Sequence, residues 1–189
     1  MLGWGSGAFL TNWRKRIGEA EANKITRQAA NRGTIVHKVV EDYITNKEDH
    51  LRDVMPTFVH DFNKFKTLID KHLGSIHGIE TALWSHKYHV AGRSDCIAEW
   101  DGELSIVDWK TSRKIKKRAW IENYFLQGTF YACAYNELTG ENIKKLNIVM
   151  VPESEDPVVF TENIDDWKPI LKDRVAKWYK EVKNLTIDI

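Results

Sequence analysis

Gly92-Arg93-Ser94-Asp95-Cys96-Ile97-Ala98-Glu99-Trp100, then Asp101-Gly102, then Glu103-Leu104-Ser105-Ile106-Val107-Asp108-Trp109-Lys110, reads as strand, two-residue turn and strand. Asp-Gly between two apolar runs is the strongest short-range hairpin signal, because both central residues of the favoured turn need positive φ. If Trp100 pairs with Glu103, counting outward pairs Ile97 with Ile106 and Asp95 with Asp108. The last pair falls at a non-hydrogen-bonded position, where opposite side chains lie closest. Two carboxylates there repel, and a divalent cation between them turns the repulsion into coordination. Lys110 shares a face with Asp108, since side chains two apart on a strand do. Two carboxylates and an ammonium around one point suit metal-assisted hydrolysis of a phosphodiester.

The chain of 189 residues, 42% hydrophobic and 29% charged, fits one globular domain with a sizeable core. A net charge of +1 excludes a uniformly basic protein, so any contact with nucleic acid must come from local patches. Cys96 and Cys133 have no CxxC neighbour, which excludes a zinc knuckle or a four-cysteine iron–sulfur cluster and favours a reduced chain. No apolar run approaches the length of a membrane span. Met1 to Leu10 lacks a secretory pattern, and Glu19 and Glu21 argue against a mitochondrial transit peptide, so an intracellular, cytoplasmic protein is expected.

Around the hairpin, the pattern predicts a helix from Thr11 or Asn12 to about Asn31, punctuated by Gly33, and a second from Thr34 to about Thr45. In the second, Val36, Val39 and Val40 form an apolar stripe with His37 and Glu41 at its edge. A third helix opens at Pro56 and runs to about Leu73, with Gly74 and Gly78 ending the helical part. A strand near Ile79 to Ser85 precedes the hairpin. A helix from about Ala119 to Leu138, strands near Lys145 to Val151 and Val158 to Thr161, and a closing helix from about Asp165 to Lys183 follow. The expectation is one domain over 1–189, helical over 1–74 and α/β over 75–189, with a mixed sheet flanked by helices.

Four fragments in this order carry a family likeness. Gly92-Arg93-Ser94-Asp95 with Ile106-Val107-Asp108-Trp109-Lys110 resembles the GxxD and (D/E)xK signature of PD-(D/E)XK nucleases. Gly33 to Glu41 resembles the histidine motif of their RecB-type branch, and Gln127-Gly128-Thr129-Phe130-Tyr131 resembles its QxxxY motif. Asp108-Trp109-Lys110-Thr111-Ser112, with the helix of Gln127 and Tyr131 behind it, is most similar to the mitochondrial genome maintenance exonucleases and their phage-encoded relatives. The resemblance implies a restriction-endonuclease-like α/β fold. It also implies a magnesium- or manganese-dependent exonuclease acting on free ends of single-stranded DNA in replication, repair or recombination. The expected partner is DNA, single-stranded with a free end, met by a monomer and no membrane.

Asp95, Asp108 and Lys110 are the expected catalytic set. Asp95 and Asp108 would hold the cation, with the Trp109 carbonyl as a further ligand. Lys110, protonated beside two carboxylates, would orient the attacking water and stabilise the oxyanion. His37 on its own reads as a satisfied boundary histidine, and only the resemblance makes it a ligand; a neutral imidazole there favours manganese. Glu41 is either the partner of His37 or a solvated charge, and Glu80 reaches the metal through water if at all. Gln127 and Tyr131, one turn apart, brace Lys110 and the nucleotide in the family reading and are otherwise ordinary core. From Lys110 to Arg118 lie six basic residues and no acidic one, so Arg113, Lys114, Lys116 and Lys117 are expected to track phosphates. Arg93, Arg27 and Arg32 are weaker candidates of the same kind, and Trp109 and Trp120 are expected in the core rather than as stacking platforms. Competing functions are a structure-specific endonuclease and a catalytically silent nucleic-acid-binding module.

Overall fold

The computed structural model describes residues 7–182; Lys183, the expected end of the closing helix, and the first part of the Met1 to Leu10 stretch lie outside the described residues. Three helices come first, α1 (Gly7–Ile17), α2 (Glu19–Ile44) and α3 (Pro56–His72). Strands β1 (Leu73–Ser85), β2 (Val90–Trp100) and β3 (Glu103–Ser112) follow, then a 3₁₀ turn (Arg118–Trp120) and α4 (Glu122–Thr139). Strands β4 (Lys145–Pro152) and β5 (Val158–Asn163) and helix α5 (Ile164–Val182) complete the order. The strands form one mixed sheet in the order β1-β2-β3-β4-β5. Among the described strands only β3 and β4 run parallel, joined by the crossover through α4 that a parallel pair requires.

The hairpin is as read from the sequence. Asp101 (φ 53°) and Gly102 (φ 78°) supply the two positive φ values, and Trp100 faces Glu103 while Ile97 faces Ile106. Elsewhere the glycines behave differently from expectation. Gly33 lies inside the continuous α2, and the break falls at Gly18, whose φ of 87° no helix accommodates. A helical glycine costs only about 1 kcal/mol, which the buried Val36, Val39 and Val40 stripe outweighs. Gly74 and Gly78 do not separate helix from strand either. Both belong to β1, where the pairing with β2 shifts between Leu73 and Ile76 and again between Ile76 and Gly78. Helix α4 starts at Glu122 rather than Ala119 and ends on Gly140, in the left-handed conformation with its N–H on the Asn136 carbonyl.

Helices α2 and α3 cover one face of the sheet, packing Val36, Val39, Val40, Phe62, Phe65 and Ile69 on Cys96, Val107, Trp109 and Val149. Helices α4 and α5 cover the other, packing Phe125, Leu126, Phe130, Trp167 and Leu171 on Ile97, Ile106, Leu146 and Ile148. The alternation of β3 and β4 between these layers is regular. That of β1 and β2 is not: the pair Ile79–Cys96 contributes to the α2/α3 layer, whereas the pair Leu83–Gly92, four residues along, meets the α4 layer. Residues four apart on a regular strand share a face, so this ribbon rolls over between the two pairs. Glu80, with φ 47°, stands inside the roll.

Arg32 ties the helical layer to the sheet. From α2 its Nε donates to Asp61 Oδ2 of α3 at 2.6 Å, and its Nη1 donates to the Ser112 carbonyl at 2.7 Å and to Glu153 Oε1 at 3.2 Å. This buried residue is therefore a staple between α2, α3 and the end of β3, not the phosphate contact its charge suggested. Lys64 of α3 adds a second tie, donating to the carbonyls of Pro152 (2.8 Å), Glu153 (3.0 Å) and Glu155 (2.9 Å).

Candidate active site and metal-ligand cluster

The β2–β3 ladder ends at Cys96–Val107, one pair short of Asp95 and Asp108. Beyond it the Trp109 N–H, left without a strand partner, is taken by the Asp95 carboxylate at 3.0 Å. Asp95 thus closes the gap in the ladder with its side chain, and the expected facing pair opens into a notch at the sheet's end. On the other side of Asp95, the pairs Ile79–Cys96 and Thr81–Ser94 place Glu80 opposite it. Glu80, Asp95 and Asp108 therefore stand in one row across β1, β2 and β3.

Helix α2 brings His37 to this row. Its Nδ1 lies 3.6 Å from Asp95 Oδ2, and one donor atom each from His37, Glu80 and Asp95 fall within 4.8 Å of one another. Among the described residues this is the one such group. Glu80 was expected to act through water at most, and the register of β1 places it beside Asp95 directly. Asp108 is adjacent to the group and outside it. An imidazole and carboxylate oxygens are a donor set suited to manganese or magnesium.

Asp108 is buried and its carboxylate forms an ion pair with Lys110, whose side chain is 20% exposed. Burial pushes the Asp108 carboxyl pKa upward; Lys110 pulls it down, and the negative charge of Asp95 pushes it up again. Burial alone would lower the Lys110 pKa, but the attraction of Asp108 and Asp95 outweighs it, and Lys110 is held above its ordinary value and stays protonated. A fixed cation beside a row of acids is what the alternation of β3 dictates.

Helix α4 forms the wall behind Lys110. Gln127 Nε2 donates to Tyr131 Oη at 2.8 Å, so the two co-facial residues brace each other. The residue against the lysine is Tyr124, whose ring centroid lies 5.2 Å from Lys110 Nζ and whose hydroxyl accepts from Lys116 Nζ at 2.7 Å. Sequence reasoning missed Tyr124, although its spacing of three from Gln127 and seven from Tyr131 places it on the same helical stripe. Gly92 explains itself here: a Cβ on it would sit 2.7 Å from Tyr131 Cε1.

The outer residues divide. Glu41 accepts from Lys38 Nζ at 2.8 Å and so is engaged by its neighbour rather than by His37. Arg93, 66% exposed, approaches Glu80 at 3.7 Å. Arg113, Lys114 and Lys117 are exposed, whereas Arg118 is committed to Glu162 through two hydrogen bonds of 2.6 Å. Trp109 is in the core as expected, and Trp120 is not, being 68% exposed.

The family model of the PD-(D/E)XK nuclease superfamily matches residues 9–188. Mitochondrial genome maintenance exonuclease 1 of Homo sapiens is 26% identical over 126 residues, covering 65% of this chain and 35% of the human protein. The Mus musculus protein of the same name is 25% identical over 112 residues, covering 57% of this chain and 33% of its own. The chain thus spans about a third of the length of the curated relatives it matches. A crystal structure of a candidate exonuclease from Eubacterium rectale overlays with a TM-score of 0.47 at 13% identity, covering 76% of this chain and 63% of that one. No helix among the described residues is long and apolar enough to cross a membrane.

Proposed function

Because the chain belongs to the PD-(D/E)XK nuclease superfamily, we propose that it is a divalent-metal-dependent exonuclease, a single domain acting as a monomer on free ends of single-stranded DNA in replication, repair or recombination. The observation that carries this reading is the meeting of His37, Glu80 and Asp95 within 4.8 Å beside the buried Asp108–Lys110 pair. Two carboxylates and an imidazole whose donor atoms lie this close form a ligand set that one divalent cation can share.

His37, Asp95 and Asp108 would hold the ion, joined by Glu80 and the Trp109 carbonyl. When bound, a magnesium or manganese ion supplies positive charge against the negative charge that builds up on the phosphate and acidifies a nearby water. Asp95 keeps its place because the Trp109 N–H holds its Oδ2, the oxygen that lies 3.6 Å from His37 Nδ1. Lys110, protonated and backed by Tyr124, orients the attacking water and stabilises the oxyanion rather than serving as a free base. Gln127 and Tyr131 keep that wall in place, Arg93, Arg113, Lys114 and Lys117 meet the phosphates, and Lys116 acts through Tyr124. Lys38 rather than His37 occupies Glu41, which we assign no part in the chemistry.

End-labelled single-stranded DNA incubated with Mn²⁺, with and without chelator, tests the reading. Cleavage should need the metal, disappear in Asp108→Ala, and spare covalently closed single-stranded circles. Cleavage of the circles would make the protein an endonuclease, and binding without any cleavage would reduce it to a silent module. Strands marked at the 5′ or the 3′ end, beside a duplex control, read the polarity.

A further inference from the structure

Between Ser112 and α4 the chain makes a connection, Arg113 to Ile121, largely exposed up to Trp120, that carries five basic residues and no acidic one. The structure gives those cations different roles. Arg118 lies across Glu162, which also accepts from Trp167 Nε1 at 3.1 Å, so the 3₁₀ turn is anchored to β5 and α5. Ile121, immediately after the turn, is fully buried and anchors its other end. Lys116 is held by Tyr124, and through that ring the connection touches the catalytic lysine. Arg113, Lys114 and Lys117 are exposed and, among the described residues, form no ion pair.

Trp120 stands on this anchored turn with 68% of its surface in solvent and Lys117 Nζ 5.5 Å from its ring centroid. An indole is the largest apolar group a chain can bury, and here burial is forgone between two fixed residues, next to Lys117, which forms no ion pair among the described residues. We propose that Trp120 is a stacking platform for an unpaired nucleobase, with Arg113, Lys114 and Lys117 on the accompanying phosphates. Every base offers a π-face, so such a platform is indifferent to sequence, and a duplex, which keeps its bases stacked on each other, has none to give. The surplus of positive charge selects a polyanion over an apolar protein surface. The platform deepens the exonuclease reading and rests on it: it supplies a reason for a preference for single strands.

The test compares full-chain wild type, Trp120→Ala and Trp120→Phe by fluorescence anisotropy in chelator, with labelled oligothymidylate and a wholly abasic strand of the same length. Trp120→Ala should weaken oligothymidylate binding about tenfold, leave the abasic strand bound as before, and be largely rescued by Trp120→Phe. An equal loss on both strands, or no loss on oligothymidylate, overturns the platform, the former pointing to a structural role and the latter leaving Trp120 for a protein partner. Wild-type cleavage of linear single strands with Mn²⁺ is measured in parallel. If cleavage stands while the base-dependent difference is absent, only the platform falls; if cleavage is absent, the exonuclease reading falls by itself.

Discussion

Replacing Gly92 with alanine should damage the protein by a route that the coordinates define closely. The new Cβ would lie 2.7 Å from Tyr131 Cε1, with Phe130 Cε1 at 3.4 Å and the Tyr131 hydroxyl at 3.5 Å. Carbon atoms rest about 3.5–4.0 Å apart, so the ring or the strand must yield by roughly 0.8 Å or more. Tyr131 is not free to swing: it is 6% exposed, its hydroxyl is held by Gln127 at 2.8 Å, and its ring packs on Phe130 with centroids 5.7 Å apart. Overpacking of this kind costs about 1–3 kcal/mol, and the removal of a strand glycine returns about 0.5–1 kcal/mol. The net loss, up to about 2.5 kcal/mol, corresponds to a melting temperature up to about 10 °C lower in a chain of this size. The displacement also reaches Asp95, three residues along β2, where a misplacement of about 1 Å can cost on the order of 100-fold in turnover. Thermal melts of Gly92→Ala, Tyr131→Ala and the double variant form the assay. In the Tyr131→Ala background the Gly92 substitution should become neutral or stabilising. If Gly92→Ala melts like wild type, or costs the same with Tyr131 removed, the steric account of the GxxD glycine is wrong.

Two further outcomes follow from buried charge. Asp61→Ala removes the ion-pair partner of the buried Arg32 and should cost about 3–5 kcal/mol in denaturant unfolding; a cost under about 1 kcal/mol would mean that Glu153 and the Ser112 carbonyl suffice to hold the guanidinium. Burial pushes Asp108 up to about 6 in the metal-free fold. A carboxyl raised above its unfolded value stabilises the fold at low pH, and that contribution is lost as pH rises from about 4 to about 6, a loss that metal binding offsets. Calorimetric Mn²⁺ affinity should therefore be flat above pH of about 6 and fall about tenfold per pH unit below it, a slope reduced in Asp108→Asn. An affinity unchanged between pH of about 5 and 7 would contradict a proton on Asp108.

The hairpin, its register from Trp100–Glu103 to Ile97–Ile106, and the shared face of Asp108 and Lys110 were legible because each depends on local rules: positive φ in a two-residue turn and side-chain alternation along one strand. The same holds for the stripes that bury Val36, Val39 and Val40 and align Gln127 with Tyr131. The mixed sheet with flanking helices followed from the order of those elements. Tertiary structure decided the rest. Glu80 joined the cluster because β1 and β2 roll over together, a twist set by how two distant residues pair and by which layers they meet. Gly33 stayed helical because packing outweighed propensity, while Gly18, with less to bury around it, became the break. Arg32 and Arg118 look like phosphate contacts in a string of letters, yet each found an acid far away in sequence, Asp61 and Glu162. Trp120 went the opposite way, left in solvent by a turn anchored on both sides of it. Whether a side chain of given chemistry ends up buried, paired or free depends on neighbours brought together by long-range packing, and periodicity along the chain carries no information about them.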